Sequence, residues 1–170
     1  LVANNLAMNG LKEIEKFHIK LGHPVRPMLA ERLDSGKAIL EKMGGTAALE
    51  YKLDGERVQI SCNSNKFWIF SRRLENITSQ YPDLIELSKS NLKGKEYVVE
   101  GEVVAIDINT GAYLPFQELM HRRRKHGIAK AVNDYPVSIN FFDILFLDGK
   151  DLTELPYQNR RNILKDIVKS

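Results

Sequence analysis

The chain has 170 residues, 43% of them hydrophobic and 28% charged, the balance of an ordinary globular protein. No apolar run approaches the length that spans a bilayer. The single cysteine, Cys62, excludes an internal disulfide framework and a cysteine-based zinc site, and the net charge of +3 permits a polyanionic partner without demanding one.

The first residues, Leu1-Val2-Ala3-Asn4-Asn5, lack a Met and lack a basic region followed by an apolar one, so they do not read as a signal peptide. Residues 1–20 are predicted helical, with Leu11, Ile14 and Phe17 recurring at three-residue spacing. The Gly22, Pro24 and Pro27 that follow favour an extended connector, and a domain boundary is placed near residue 20. Residues 34–43 read as a short helix with Asp34 or Ser35 as N-cap and Gly44-Gly45 as its stop. Ala47–Tyr51 and Arg57–Cys62 read as strands around a Lys52–Glu56 turn, and Phe67–Phe70 as a further strand after the Asn63-Ser64-Asn65 turn. Pro82-Asp83 opens a helix over 81–91. Tyr97–Ile106 reads as an apolar strand interrupted by Glu100-Gly101-Glu102. Pro115–Lys125 is predicted helical with a basic end. Val137–Leu147 is a long apolar strand stopped by Asp148-Gly149, and Gln158–Lys169 an amphipathic helix with Ile163, Leu164, Ile167 and Val168 on one face. Strands that adjoin in sequence predict an α+β fold with a largely antiparallel sheet.

Several side chains could carry chemistry. Lys52 stands before the tight Asp54-Gly55 turn, which would aim it and Arg57 into one space. A nucleophilic lysine must be neutral, and from a reference pKa of about 10.4 that costs roughly 4.6 kcal/mol near pH 7. Arg57 and a bound metal lower the cost, whereas Asp54 opposes it. Glu100 and Glu102 lie two apart and project from one face of a strand, where burial requires a partner or a ligand such as a metal or ribose hydroxyls. Arg72 has the fork that suits a phosphate. The run His121-Arg122-Arg123-Arg124-Lys125-His126 lacks the carboxylates or cysteines of a metal site and reads as a solvated basic helix end or a contact for a phosphate backbone.

Lys52-Leu53-Asp54-Gly55-Glu56-Arg57 resembles the Lys-x-Asp-Gly-x-Arg signature of covalent nucleotidyltransferases. Further segments follow in the family's order: Phe70-Ser71-Arg72, Val99-Glu100-Gly101-Glu102-Val103-Val104-Ala105, Pro115-Phe116-Gln117, and Asn140-Phe141-Phe142-Asp143-Ile144-Leu145, with Pro27-Met28-Leu29-Ala30 upstream. Together they resemble the archaeal and eukaryotic type of ATP-dependent DNA ligase, closest to the archaeal one. The resemblance implies an antiparallel-sheet, ATP-grasp-like adenylation domain. It implies Lys52 as the nucleophile that takes AMP, Glu50 and the Tyr51 backbone reading adenine, and Arg57 on ribose and phosphate. Arg72 would hold a phosphate, Glu102 the ribose or Mg2+, and Phe142 would stack on adenine. ATP and magnesium are the implied cofactors, and nicked double-stranded DNA the implied partner, contacted through Arg122, Arg123, Arg124 and Lys125. A sliding clamp reached through a preceding domain, and a cytoplasmic location (nuclear in a eukaryote), are implied as well.

The family's second metal carboxylate, its two phosphate-binding lysines and its oligonucleotide-binding domain have no counterpart here. The expectation is therefore part of an adenylation domain over 21–170, preceded by the last helix of a DNA-binding domain over 1–20, and inactive or weakly active by itself. Two alternatives are an RNA ligase or capping-type nucleotidyltransferase, and a non-catalytic nucleic-acid-binding module. The Pro27–Ala30 and Pro115–Gln117 segments speak against the first, and the ordered motifs against the second.

Overall fold

The structure is a computed structural model that describes residues 7–8, 10, 18–123 and 126–169. Most of the helix expected over 1–20, including Leu11, Ile14 and Phe17, lies outside the described residues.

The core element is β1, Glu56–Asn63. It pairs antiparallel on one side with β2, Lys66–Ser71, and on the other with β3, Glu96–Ala105. Then come β4, Val137–Leu147, and the two-residue β5, Lys150–Asp151, giving a five-stranded sheet in the order β2-β1-β3-β4-β5. Every neighbouring pair is antiparallel. Side chains alternate between the two faces of a strand, so Val58, Ile60 and Cys62 share one face of β1. They pack with Tyr97, Val99, Val103, Ile144, Leu84, Leu119 and Leu164 in one buried cluster. The expected α+β class with an antiparallel sheet is what forms.

β1 is buried on its second face as well. There Gln59 and Ser61 meet the N-terminal connector: the Val25 N–H donates to Gln59 Oε1 at 2.8 Å, and the Gly22 N–H donates to Ser61 Oγ at 2.8 Å. Gly22 has φ +77°, and a Cβ there would lie 2.9 Å from the Trp68 ring, so only glycine fits on both counts. The prolines that disfavour a helix thus leave an extended segment free to run across the sheet.

The helices are short: α1, Gly36–Lys42; α2, Pro82–Asn91; α3, Phe116–Met120; α4, Ile128–Asp134; and α5, Tyr157–Ile167. Ser35 caps α1, its side chain accepting from the Ala38 N–H at 3.2 Å. α2 opens on Pro82 as expected. The Asp148-Gly149 stop forms, with φ of 41° and 85°, and Asp148 Oδ1 accepts from the Lys95 and Glu96 N–H groups at 2.9 Å each.

Three expectations are corrected. Ala47–Tyr51 is irregular rather than a strand; no described strand pairs with it, and Leu49 and Tyr51 are 99% and 95% exposed. β3 runs unbroken through Glu100-Gly101-Glu102, with a register shift against β4 between Glu100 and Gly101 taking up the irregularity. The helix expected over 115–125 ends at Met120. The chain then turns so that Arg122, only 1% exposed, can enter the interior.

Arg122 grips both oxygens of Asp83, at 3.0 and 2.6 Å, and donates to the Tyr135 and Gln80 carbonyls at 3.0 and 3.2 Å. Its guanidinium lies 5.1 Å from the Tyr81 ring centre. It ties α2 to the segment before β4 and has no face left for a DNA phosphate. The composition of a basic run cannot reveal this, because a guanidinium is buried only where a carboxylate and carbonyls converge on it. Arg122→Ala is expected to destabilise the fold by about 3–5 kcal/mol, since Asp83 loses its partner. Urea unfolding checks this, and a loss under about 1 kcal/mol would show the pair behaving like a surface ion pair.

Candidate nucleotide site

One cleft gathers the chemistry-bearing residues. Its walls include Glu50, Tyr51, Lys52, Arg57, Arg72, Glu102 and Phe142, all of the residues expected to hold ATP. It is lined by eight basic side chains, Lys52, Arg57, Arg72, Arg73, Arg123, Arg161, Lys165 and Lys169, against four acidic ones, Glu50, Glu56, Glu75 and Glu102. The surplus of four is at least as large as the net charge of +3 on the whole chain. A modest overall charge is therefore concentrated where a triphosphate could use it.

The Lys52–Arg57 stretch owes its shape to two contacts. Gly55 packs directly on β3: a Cβ there would lie 2.2 Å from the Val103 carbonyl oxygen and 3.0 Å from Glu102 Cγ. No other residue can make that approach, and it brings the Gly55 N–H beside the Glu102 carboxylate. Asp54 accepts from the Phe116 N–H at 3.1 Å. It thereby satisfies an otherwise orphaned donor at the start of α3. The aspartate that looked like an electrostatic obstacle to Lys52 is committed to that helix end. Lys52 itself is exposed on the cleft wall.

Arg57 is fixed from two sides. Its Nη2 donates to Glu100 Oε2 at 2.6 Å, and its guanidinium sits 5.1 Å from the centre of the Phe142 ring. Glu100 is buried and also accepts from Gln59 Nε2 at 3.2 Å. Glu100 and Glu102 do share a face, but their environments separate them: the first is spent on Arg57, and the second faces the cleft. Burial raises the Glu102 carboxyl pKa, against the opposing pull of the Lys52 and Arg57 charges and the Gly55 N–H.

Other contacts around the cleft are not evident from the sequence. The Tyr157 hydroxyl donates to Glu50, and burial together with that bond pushes the phenol up to about 12. Arg123 donates to the buried Glu56 at 2.7 Å, and the Tyr81 hydroxyl donates to the same carboxylate at 2.9 Å. Of the four basic residues expected to meet DNA, Arg123 lines the cleft, Arg122 is interior, and Arg124 and Lys125 lie outside the described residues. Asn140 stands directly across from Glu102 in the β3–β4 register. Sheet pairing brings Asn140 to Glu102, and the Tyr157–Glu50 and Arg123–Glu56 contacts join residues 107 and 67 apart, so spacing along the chain does not announce them.

The raised Glu102 pKa has a consequence for stability. A carboxyl with a higher pKa in the fold than in the unfolded chain favours folding below its unfolded pKa and loses that contribution as pH rises through the folded value. Glu102→Gln removes the titration. Its melting temperature relative to the parent is therefore expected to rise between pH 4 and pH 7. A gap that stays constant or shrinks would show that the carboxylate is not penalised by burial.

A family model for the ATP dependent DNA ligase domain matches residues 27–170. Proteins named DNA ligase from Nitrosopumilus maritimus and Sulfophobococcus zilligii are 54% and 52% identical over 168 and 167 residues, covering 99% and 98% of this chain but 29% and 28% of their own length. The chain thus spans under a third of the curated relatives it matches. Among solved structures, the ligase domain from M. tuberculosis LigD aligns with a TM-score of 0.54 at 28% identity, over 69% of this chain and 35% of that one. A mycobacterial DNA ligase D complexed with ATP and MES aligns with a TM-score of 0.52 at 27% identity, over 70% and 36%. With the family model covering the sheet and every residue of the cleft, the chain belongs to the ATP-dependent DNA ligase domain family.

Proposed function

We propose that this chain is the lysine-bearing part of an ATP-dependent DNA ligase, and that Lys52 is the residue that takes AMP. The observation that carries the reading is the Gly55 turn, which sets Lys52 on a cationic cleft beside Arg57, Glu102 and Phe142. In the first step the neutral Lys52 amine attacks the α-phosphorus of ATP. A P–N bond forms, the bond to the bridging oxygen breaks, and pyrophosphate leaves with the electron pair. The lysine proton passes to solvent. AMP then moves to the 5′-phosphate at a nick in duplex DNA, and attack by the 3′-hydroxyl joins the strands and releases AMP.

Each side chain has a task that its surroundings fit. Phe142 offers an apolar face to adenine, and Arg57, stacked on that ring and braced by Glu100, reaches the ribose and α-phosphate. Arg72, exposed at the cleft, suits a phosphate of the nucleotide or of the nick. Glu50 and the Tyr51 backbone supply hydrogen-bonding groups for the base, with Glu50 steadied by Tyr157.

Magnesium fits this site in its usual manner, through one carboxylate with phosphates and water completing the shell. Glu102 is the carboxylate that would hold it, and no cluster of three metal-ligating side chains exists among the described residues. When bound, the ion supplies charge neutralisation on the phosphates.

Incubation with α-labelled ATP and magnesium tests the reading. Label is expected on Lys52 through an acid-labile P–N link, weak in this chain by itself and strong once the family's two phosphate-binding lysines are supplied, and absent from Lys52→Ala and Lys52→Arg. Label that survives those changes, or that comes from GTP as readily as from ATP, would contradict it. Phe142→Ala is expected to weaken ATP binding about 3- to 10-fold while leaving the labelled residue the same. An unchanged affinity would remove Phe142 from the adenine site.

A further inference from the structure

The second face of β1 serves two neighbours. Arg57, Gln59 and Ser61 alternate along the strand, so all three project the same way. Arg57 lines the cleft. Gln59 and Ser61 lie under the N-terminal connector, which crosses with Gly22 at Ser61 and Val25 at Gln59 and reaches the cleft wall at Pro27. Connector and cleft therefore meet between Gln59 and Arg57.

Gln59 joins the two, because both ends of its amide are engaged. Oε1 accepts from the Val25 N–H at 2.8 Å, and Nε2 donates to the Val25 carbonyl at 3.3 Å and to Glu100 Oε1 at 3.2 Å. Gln59 and Glu100 are directly paired across β1 and β3. The other Glu100 oxygen, Oε2, accepts from Arg57 Nη2 at 2.6 Å. Gln59 and Glu100 are each 5% exposed, so neither can exchange a lost partner for bulk water without opening the interior. Arg57 takes its aim from this chain of bonds. Its Nε has no hydrogen-bond partner among the described residues, and besides Glu100 its guanidinium rests on the Phe142 ring.

Resting on the nucleotidyl-transfer reading, in which Arg57 reaches the nucleotide, we propose that Gln59 is a positioning residue that couples the seating of the connector over residues 22–27 to the placement of Arg57 in the cleft. With the connector seated, Val25 fixes the amide, the amide fixes Glu100, and Glu100 fixes Arg57. With it lifted, the amide turns freely, Glu100 loses a partner and Arg57 loses its fixed aim. Linkage is reciprocal, so a nucleotide held by Arg57 also tightens the connector on the sheet. A purely structural glutamine would hold the connector and leave nucleotide binding indifferent to it.

The chain carries its own reporter. Trp68 is its single tryptophan, and the Gly22 backbone packs against the Trp68 ring. Acrylamide quenching of Trp68 emission therefore reads the seating of the connector. Saturating ATP with magnesium is expected to lower that quenching in the parent. Gln59→Met, which keeps the length and removes the amide, should raise the quenching, make it insensitive to ATP, and weaken ATP binding about 3- to 10-fold. Ser61→Ala frees the connector at its other tether and leaves Gln59 and Glu100 in place, and it should still weaken ATP about 2-fold. In an Arg57→Lys background, Gln59→Met should change ATP affinity no further, since the two residues act in series. Thermal melting confirms that each variant folds. Quenching that ATP leaves unchanged in the parent, or an equal loss of affinity from Gln59→Met with and without Arg57, overturns the proposal. Labelling of Lys52 from α-labelled ATP, with the two phosphate-binding lysines supplied, separates the failures. Labelled Lys52 without the linkage sinks this inference alone, whereas unlabelled Lys52 sinks the nucleotidyl-transfer reading.

Discussion

The arrangement depends on one close approach: the Gly55 backbone against the Val103 carbonyl, where a Cβ would be only 2.2 Å away. Contact at that range clamps the Lys52–Glu56 turn onto β3 instead of leaving it as a mobile hairpin end. It brings the Gly55 N–H to Glu102 and sends Asp54 to the start of α3. From there β1 carries Arg57 into register with Glu102 and places its guanidinium on Glu100 and Phe142. A side chain at position 55 would push the turn off the sheet and separate Lys52 from every group that could assist it.

Charge is partitioned in a way that follows from burial. Carboxylates in the interior each have a cation or a hydroxyl: Glu100 has Arg57, Glu56 has Arg123 and Tyr81, and Asp143 has Arg160 at 2.8 and 2.9 Å. Arginines in pairs like these hold the sheet and its helices in place, since losing one partner strands the other. Glu102 is the exception. It is partly buried beside Lys52 and Arg57, yet no arginine is bonded to it, and its carboxyl is pushed up by burial. A group held in that state is available to a ligand.

Much of this was legible in the chain. The alternation of β1, the length of β4, the Pro82 helix start and the Asp148-Gly149 stop are local, and local chemistry decides them. The Lys52–Arg57 signature and the ordered segments after it pointed to one cleft, and the cleft gathers them. What stayed hidden is set by distance along the chain. Arg122 reads as one more charge in a basic run, and only the convergence of Asp83, Gln80 and Tyr135 makes it an interior residue. Ala47–Tyr51 has the composition of a strand, but a strand exists only where a neighbour completes its ladder. Asn140 is ordinary in sequence and becomes notable through its register with Glu102.

The central claim is that the turn built on Gly55 holds Lys52 where it can attack a nucleotide bound between Phe142 and Glu102. A crystal structure of the chain with ATP bound tests it most directly. The account predicts adenine against the Phe142 ring, the ribose beside Glu102, and the Lys52 amine within about 3–3.5 Å of the α-phosphorus, or already joined to it. A nucleotide bound outside this cleft, or one whose α-phosphate lies against Arg72 and away from Lys52, would contradict it.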